Sequence, residues 1–426
     1  MDQNRRQVLK SGAAATLIAG APGILKAQNA SDKIKIGLVG GGGRGSGAIT
    51  QALTADENNV FWAIADAFPT GIDNAMKATK RFGERGVVNP ERRFTGLDAY
   101  KDLIASGVDV VLLATPPHFR PMHLRAAIEA GKHVFAEKPM AVDINGVHSV
   151  LESAKLAKQK NLAIQHGYCW RYHPGTREAY GKVLSGELGR VTSVYGTYMA
   201  SPVKPLNKDS KKPDGMADVE WQLRNWFNFE WLSSGPLVEQ CIHTIDKVAW
   251  AMGDVAPVAA VANGGRAQKD DPSNIYDHYN VAYEYPNGVI VHVGQRHFKG
   301  CHSEVRDRVI CEDGTMYAPG RCHIADTKGK ITWRSRPEKG VEQNMYQVCH
   351  NEFFAALRAG KIINTGEYMA KSTALGIFGR EAAHSGQRLT WENFMKGTHD
   401  LAPDTLAMND AFPVTPAPTP GDYKFK

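Results

Sequence analysis

Paired cysteines are missing from this sequence of 426 residues, and cysteine itself is rare. None of the six cysteines forms a Cys-x-x-Cys pair, which excludes zinc-ribbon and thioredoxin-like motifs. Three of them precede a histidine, so a metal site is one alternative, but we predict ordinary buried thiols and no bound metal. The cysteines are Cys169, Cys241, Cys301, Cys311, Cys322 and Cys349.

Strong charge, internal repeats and long apolar runs are missing as well. The formal net charge is +7, and the first 27 residues carry four basic side chains and one acidic side chain, so the remainder is at about +4. A surplus this small and scattered argues against nucleic acid as a partner. At 42% hydrophobic and 22% charged, the composition is that of an ordinary globular protein, and the length suits two or three domains.

The sequence begins MDQNRRQVLKSGAAATLIAGAPGILKAQ. A basic start with Arg5 and Arg6 precedes a soft apolar run that Gly20, Pro22 and Gly23 interrupt, and a membrane helix needs about 20 apolar residues. The pattern resembles a twin-arginine signal peptide, although a basic amphipathic helix is an alternative. We therefore predict a removable signal over residues 1–27 and an exported, for example periplasmic, protein with no membrane anchor after its removal. Signals of this type carry proteins that have already folded, so a cofactor can be loaded before export.

Residues 33–160 alternate apolar strand patterns with helical patterns. The strand patterns are IKIGLVG, NVFWAIAD, VDVVLLATPP and KHVFAEKP. Short continuous apolar strands between helices predict an α/β domain with a parallel sheet covered on both faces, the doubly wound Rossmann fold.

Residues 161–393 show the two-residue period of half-exposed strands, followed by two helical patterns. Asn287-Gly288 and Asp313-Gly314 predict hairpin turns. We therefore predict an α+β second domain with a mostly antiparallel open sheet. Residues 394–426 are rich in proline and predict an irregular tail.

A glycine-rich turn follows the first strand pattern. Gly40-x-Gly42-x-x-Gly45 allows a tight turn, close approach of a pyrophosphate and close packing of strand and helix. Asp66 ends the second strand, where a carboxylate accepts hydrogen bonds from a ribose and repels a 2′-phosphate. This spacing predicts NAD as the cofactor, while Arg44 leaves NADP as an alternative.

Three further stretches, GKHVFAEKP, GPLVEQCIHTID and GYCWRYHPG, resemble the Gfo/Idh/MocA oxidoreductases over nearly the whole chain from residue 33 to 393. The resemblance implies that the loops at the strand ends hold the dinucleotide. The cofactor-binding residues we assign are Gly40, Gly42, Gly43, Arg44, Gly45, Asp66, Thr115, Pro116, His118, Glu137 and Lys138.

The resemblance also implies the catalytic residues. Lys138 would lie beside the nicotinamide and the substrate hydroxyl, where a desolvated amine can share a proton. Glu239 and His243, spaced by four residues, predict one helix face that carries both side chains, with His243 as the proton acceptor. Glu239 stands where the family commonly has aspartate. The expected catalytic residues are Lys138, His243 and Glu239.

Substrate contacts are expected from the GYCWRYHPG stretch and from nearby aromatic residues. Arg171 either binds substrate or braces the cleft, and Cys169 replaces the amide that the family usually has. Aromatic faces stack on sugars but also pack in cores. The expected substrate-binding residues are Trp170, Arg171, Tyr172 and Trp226.

The function that follows is NAD-dependent oxidation of a sugar, sugar derivative or polyol, in a homo-oligomer (dimer or tetramer) by resemblance. An exported enzyme meets little free nicotinamide, so a redox-neutral NAD-dependent glycosidase of the same superfamily is the first alternative. That glycosidase group lacks the lysine of the Glu-Lys-Pro triplet, and Lys138 therefore favours oxidoreduction. A binding protein that keeps NAD as a structural part is a third alternative.

Overall fold

The structure is a computed structural model that describes residues 32–403 and 405–426. The predicted signal peptide, including Arg5 and Arg6, lies outside the described residues. No helix among the described residues is both long and apolar enough to cross a membrane.

The first domain is built on a six-stranded parallel sheet with the order β3-β2-β1-β4-β5-β6. The strand bounds are β1 Ile34–Val39, β2 Asn59–Asp66, β3 Arg93–Thr95, β4 Val110–Leu113, β5 His133–Ala136 and β6 Ile164–His166. All residues of β4, β5 and β6 are buried, because helices cover both faces of the sheet. The predicted α/β Rossmann fold is confirmed, with β3 and β6 added at the two edges.

Five helices connect these strands. They are α1 Gly43–Ala55, α2 Pro69–Thr79, α3 Ala99–Ala105, α4 Arg120–Glu129 and α5 Ile144–Gln159. Asp143 begins α5 by accepting a hydrogen bond from the backbone N–H of Gly146, the arrangement expected of an N-cap aspartate.

The second domain contains a nine-stranded mixed sheet with helices on one face. Its helices are α6 Pro174–Leu184, α7 Asp218–Arg224, α8 Glu230–Ser233, α9 Gly235–Glu239, α10 Ile242–Ala251, α11 Met345–Arg358, α12 Gly366–Ser385 and α13 Trp391–Met395. Its strands are β7 Val191–Ala200, β8 Ala259–Gly265, β9 His278–Glu284, β10 Ile290–His297, β11 Glu304–Cys311, β12 Gly314–Ala318, β13 His323–Asp326, β14 Ile331–Arg334 and β15 Leu389–Thr390.

The strand order in this sheet is β14-β13-β12-β11-β7-β10-β9-β8-β15, and among its described strands only β7 and β10 pair in parallel. Antiparallel pairing of β9 with β10 and of β11 with β12 confirms the two predicted hairpins. The expected α+β second domain with a mostly antiparallel open sheet is confirmed.

Helix α11 departs from the expected division of the chain. It comes after the second sheet in sequence, yet its side chains pack against the first domain, where the ring of Phe135 stacks on His350 at 4.1 Å and meets Phe353 edge-on. The core that contains Ile36 and Leu38 also contains Phe354. The chain therefore crosses from the second domain back to the first, and α11 completes part of the core of the first domain.

The tail beyond α13 has no helix or strand in its described part, but it is packed against the molecule. Phe425 stacks on Phe394, Phe412 meets Trp231 edge-on, and the hydroxyl of Tyr423 donates to Glu381 Oε2 at 2.7 Å. The tail therefore acts as a strap across the second domain.

A buried charge network lies beneath this strap. The side chain of Arg380 on α12 is fully buried and bonds to Glu381, while its Nε lies 3.4 Å from Glu230 Oε1. Its guanidinium also donates to the carbonyl of Val142, in the segment that follows β5. Arg380 therefore joins the helices of the second domain to the first domain.

We predict that Arg380→Met lowers the free energy of unfolding by about 3–5 kcal/mol, because two buried carboxylates lose their cation. Urea titration followed by tryptophan fluorescence measures the change. Lys371→Ala on the same helix is the matched control, since its exposed pair with Glu367 is worth less than about 1 kcal/mol. Equal effects of the two substitutions would contradict the role of the network.

Candidate functional site

A cavity of about 810 Å³ lies between the two domains, large enough for a ligand the size of a dinucleotide. On the first domain it is bounded by the loops after β1, β2, β4 and β5, at the carboxyl ends of the strands. Strands are added on one side of β1 up to β3 and on the other side from β4 onward, and open α/β sheets bind ligands in the crevice where the strand order reverses in this way.

The glycine turn after β1 forms one wall of this cavity. Gly40 has φ +95°, and a Cβ atom on Gly45 would lie 1.8 Å from the carbonyl oxygen of Gly40. Both positions therefore require glycine. Gly42 and Gly43 line the cavity and would place a Cβ in open space, directly before the N-terminus of α1. Backbone and helix end thus leave a cradle that fits a pyrophosphate.

Asp66 lies at the end of β2 and lines the same cavity. Its Oδ2 accepts the backbone N–H of Gly41 at 2.7 Å, and Oδ1 accepts that of Phe68 at 2.9 Å. Burial raises the pKa of the carboxyl, and these two hydrogen bonds oppose the rise. The position suits a ribose hydroxyl and disfavours a phosphate.

Arg44 lines the cavity, but its side chain is already engaged. Its Nε lies 3.2 Å from Glu137 Oε1, and its guanidinium lies 4.6 Å from the ring centre of Tyr346. Glu137 is buried and is not among the residues that line the cavity, and its carboxylate supports Arg44.

Lys138 and Glu239 meet across the cleft. Lys138 Nζ donates to the backbone carbonyl of Glu239 and lies 3.3 Å from its Oε1, with only 11% and 8% of the two side chains exposed. The other carboxylate oxygen of Glu239 accepts from the side-chain amide of Gln240. Both residues line the cavity, and their ion pair joins the first domain to the second.

His243 lines the cavity beside this pair. Burial, together with the positive charges of Lys138, Lys247 and Arg44, lowers the pKa of His243 well below its usual range. Its Nδ1 has no hydrogen-bond partner among the residues that the structure describes. His243 is therefore a neutral imidazole in the wall of the cavity.

The expectation that Glu239 and His243 share one helix is wrong. Helix α9 ends at Glu239, and the carbonyl of Pro236 accepts from both Gln240 and Cys241 before α10 begins at Ile242. The wider last turn breaks the helix, yet both side chains still reach the same cavity.

Arg171 and Tyr172 do not line the cavity as the structure describes it. The guanidinium of Arg171 pairs with Asp246 and Asp254 and lies 4.0 Å from the ring centre of Tyr368. Arg171 was expected either to bind substrate or to brace the cleft. Its contacts with Asp246 and Asp254 support the second of these roles, in which it stabilises the second domain. Trp170 and Trp226 do line the cavity, and Cys169 is buried behind it.

His118, which we expected among the cofactor-binding residues, does not line the cavity. Its ring lies 4.9 Å from that of Trp231, within an aromatic cluster, and burial lowers its pKa to about 4. His123, one turn into α4, lines the cavity instead, as do Thr115 and Pro116. The turn before α4 directs His118 away from the cavity. The order of residues after β4 does not by itself predict this orientation.

Sequence reasoning missed several other wall residues. Arg120 is 4% exposed, donates to the carbonyl of Pro139, and has its pKa lowered to about 10 by burial. Its position in the first turn of α4 is the signal that identifies it. No local signal marks the others, because the fold brings them from distant segments. These are Tyr198, Lys204, Phe227, Gln240 and Tyr346.

The remaining predictions concern metals and thiols. All six cysteines are free, and only Cys301 is exposed. Within residues 32–403 and 405–426, no group of three or more His, Cys, Asp or Glu side chains is arranged to hold a metal ion.

The parallel sheet, the glycine cradle and Asp66 define a two-domain nicotinamide-nucleotide protein. Residues 34–168 match the family model described as "Oxidoreductase family, NAD-binding Rossmann fold", and residues 176–317 match the GFO/IDH/MocA C-terminal domain. The chain belongs to the GFO/IDH/MocA family, and its cofactor is NAD.

Among curated relatives, inositol 2-dehydrogenase 4 of Saccharopolyspora erythraea is 26% identical over 288 residues, which cover 68% of this chain and 74% of the relative. A glycosyl hydrolase family 109 protein of Shewanella amazonensis is 32% identical over 139 residues, 32% of this chain and 30% of that relative. A solved levoglucosan dehydrogenase, in complex with NADH and levoglucosan, superposes with a TM-score of 0.64 at 20% identity over 84% of this chain and 99% of that one.

We predict that Asp66→Ser moves nucleotide preference toward NADPH, because a 2′-phosphate no longer meets a carboxylate. Fluorescence titration of nucleotide-stripped protein should show the ratio of the NADPH and NADH dissociation constants change by about tenfold or more, equivalent to about 1.4 kcal/mol. Asp73→Asn, an exposed position on α2, is the control. An unchanged ratio for Asp66→Ser would remove Asp66 from the ribose site.

Proposed function

We propose that this protein is an exported, NAD-dependent oxidoreductase that acts on a hydroxyl of a sugar, a sugar derivative or a polyol. The observation that carries the proposal is the meeting of Lys138, Glu239 and His243 at one cavity, beside the glycine cradle of the NAD domain. The dehydrogenase relatives named for inositol and levoglucosan support this substrate class.

When bound, the nicotinamide supplies the acceptor and donor of hydride. Glu239 holds the Lys138 ammonium in the cleft, and from there Nζ donates a hydrogen bond to the substrate oxygen. His243 is uncharged, so its imidazole accepts a hydrogen bond from the substrate hydroxyl and then takes its proton. Trp170 and Trp226 exclude water and offer apolar faces to a sugar ring.

When an exported protein oxidises its substrate, its nucleotide becomes reduced, and little free NAD is present outside the cytosol to replace it. We therefore infer that the dinucleotide stays bound and that a second carbohydrate reoxidises it in the same cavity. The outer face of the nine-stranded sheet carries exposed apolar side chains, including Tyr195, Val261 and Ile290, which supports a dimer or tetramer formed through that face.

The second candidate is the redox-neutral NAD-dependent glycosidase. The family 109 match of 32% identity favours it, although that match covers only about a third of either chain. The presence of Lys138 and its pairing with Glu239 favour net oxidoreduction, because the resemblance implies that the glycosidase group lacks this lysine.

The two candidates are separated by incubating the protein with myo-inositol, levoglucosan and a panel of aldoses, and in parallel with 4-nitrophenyl glycosides. An oxidoreductase raises the 340 nm absorbance of its own nucleotide, and a second sugar then lowers it. Steady release of 4-nitrophenol without net reduction would support the glycosidase and contradict the proposal.

Lys138→Ala should lower kcat for sugar oxidation by about 10²–10⁴-fold, because the substrate oxygen loses the ammonium that stabilises its developing negative charge as the proton leaves. Isothermal titration should show NADH binding within about threefold of wild type. Lys155→Ala, exposed on α5, controls for the loss of one lysine. Full activity of Lys138→Ala would refute the catalytic assignment.

Export is tested by expressing the full chain in a bacterium with an intact twin-arginine pathway and fractionating the cells. We expect the wild-type protein in the periplasm with nucleotide bound, and the Arg5→Lys, Arg6→Lys variant in the cytoplasm. The matched variant Lys10→Arg keeps both arginines and should be exported. Identical distributions of the wild-type and twin-lysine proteins would contradict the proposal.

A further inference from the structure

A separate apolar cluster joins the two domains at one end of the nucleotide cavity. Its first-domain members include Phe68, in the loop after β2, and Leu97, after β3, and α7 of the second domain contributes Leu223. All three residues line the cavity, together with Asp66 at the end of β2. An acidic residue in this position meets the ribose of the adenosine half of NAD. The cluster therefore borders the end of the cavity that would hold adenosine.

A contact between the domains is made at the same end by Arg224, the last residue of α7. Its guanidinium lies 4.2 Å from the ring centre of Phe68, and its Nη2 donates to Glu220 Oε1, one turn earlier in the helix, at 2.7 Å. An arginine held over an aromatic ring in this way is attracted to it. Arg224 therefore links α7 directly to the loop after β2.

Helix α7 depends on the C-terminal tail for its position. It has only seven residues, and a helix of this length is not stable in water without tertiary packing. The backbone N–H of Phe412 donates to Asp218 Oδ2 at 3.0 Å, and the carbonyl of Phe412 accepts from the side-chain amide of Gln222. The backbone N–H of Val219 donates to the carbonyl of Asp410 at 3.4 Å. The tail thus contacts α7 from its first turn to its last.

The ring of Phe412 adds a second set of contacts. It meets the ring of Trp231 edge-on, with the ring centres 5.2 Å apart, and the indole N–H of Trp231 donates to Gln222 Oε1 at 2.6 Å. The ring of Trp231 in turn lies 4.9 Å from that of His118, which precedes α4 of the first domain. Phe412 is therefore the tail residue that connects α7 with the first domain.

We propose that the C-terminal tail retains the cofactor, because it holds α7 against the first domain and so keeps Leu223 closed over the adenosine end of bound NAD. The inference rests on the proposed function, which requires a nucleotide that stays bound after oxidation. Release of the adenosine half would require α7 to move away from Phe68 and Leu97. That movement would expose the apolar cluster to water, which opposes it.

The rate of NADH release tests this role without any sugar. Nucleotide-stripped protein is reloaded with NADH and mixed with pyruvate and lactate dehydrogenase, which consume only released NADH, so the fall in 340 nm absorbance follows release. Phe412→Ala should speed release by about tenfold or more, because opening of α7 limits it. Phe425→Ala is the matched control, since Phe425 belongs to the same tail but packs on Phe394 of α13. This variant should release NADH as wild type does.

An unchanged release rate in Phe412→Ala would overturn the proposal, and so would an equal acceleration in Phe425→Ala. Arg224→Ala provides a second test if Phe412→Ala does not fold, because 44% of the Arg224 side chain is exposed. Loss of its contact with Phe68 should speed release by about two- to fivefold. Glu220→Gln leaves that contact in place and should release NADH at the wild-type rate. Equal rates in Arg224→Ala and wild type would also overturn the proposal.

Hydrogen exchange tests whether α7 covers the adenosine end. NADH should slow amide exchange across α7 in wild type, and ADP-ribose, which lacks the nicotinamide, should give the same protection. Phe412→Ala should lose most of it. Absence of protection in wild type, or protection by NADH but not by ADP-ribose, would overturn the proposal. Failure of wild type to oxidise any sugar in the panel, with slow release and protection intact, would count against the proposed function alone.

Discussion

The ion pair of Lys138 with Glu239 is the contact on which the site depends. Lys138 follows β5 of the NAD domain, and Glu239 ends a short helix of the second domain, so neither domain holds the pair alone. An ammonium this far from water requires its anion close by, and this requirement fixes the relative position of the two domains at the reacting end of the cleft. The pair therefore brings His243 of the second domain to the same cavity as the glycine cradle of the first.

The positive charges around the cleft influence both the ligand that the cavity favours and the protonation state of His243. Arg44 and Arg120 join Lys138 in the cavity wall, which suits a pyrophosphate with two negative charges. The same charges disfavour an imidazolium at His243, so this residue serves as a neutral hydrogen-bond acceptor. Glu239 provides the carboxylate at that end, and it offsets the charge of the Lys138 ammonium. Its contacts on two sides suit the longer side chain that stands here instead of aspartate.

The sequence predicted what depends on local pattern and left out what depends on long-range folding. Apolar runs of four or more residues identified the central strands, whereas the three-residue strands β3 and β6 are too short for a period to show. Hairpin dipeptides identified two turns because turn chemistry is local. The return of α11 to the first domain, the break between α9 and α10, and the exchange of His118 for His123 follow from packing between distant segments, which no single stretch encodes.

Arg171 shows how a motif residue supports a site without touching its ligand. It stands in the GYCWRYHPG stretch, but its guanidinium is shared by two carboxylates and a tyrosine ring outside the cavity. Asp246, one of those carboxylates, is three positions after His243 on α10, and so lies about one turn further along the same face of the helix. Fixing Asp246 therefore fixes the helix that carries His243. Trp170, next to Arg171, enters the cavity wall from the same turn, so one short segment sets the position of both the histidine and an aromatic face of the proposed sugar site.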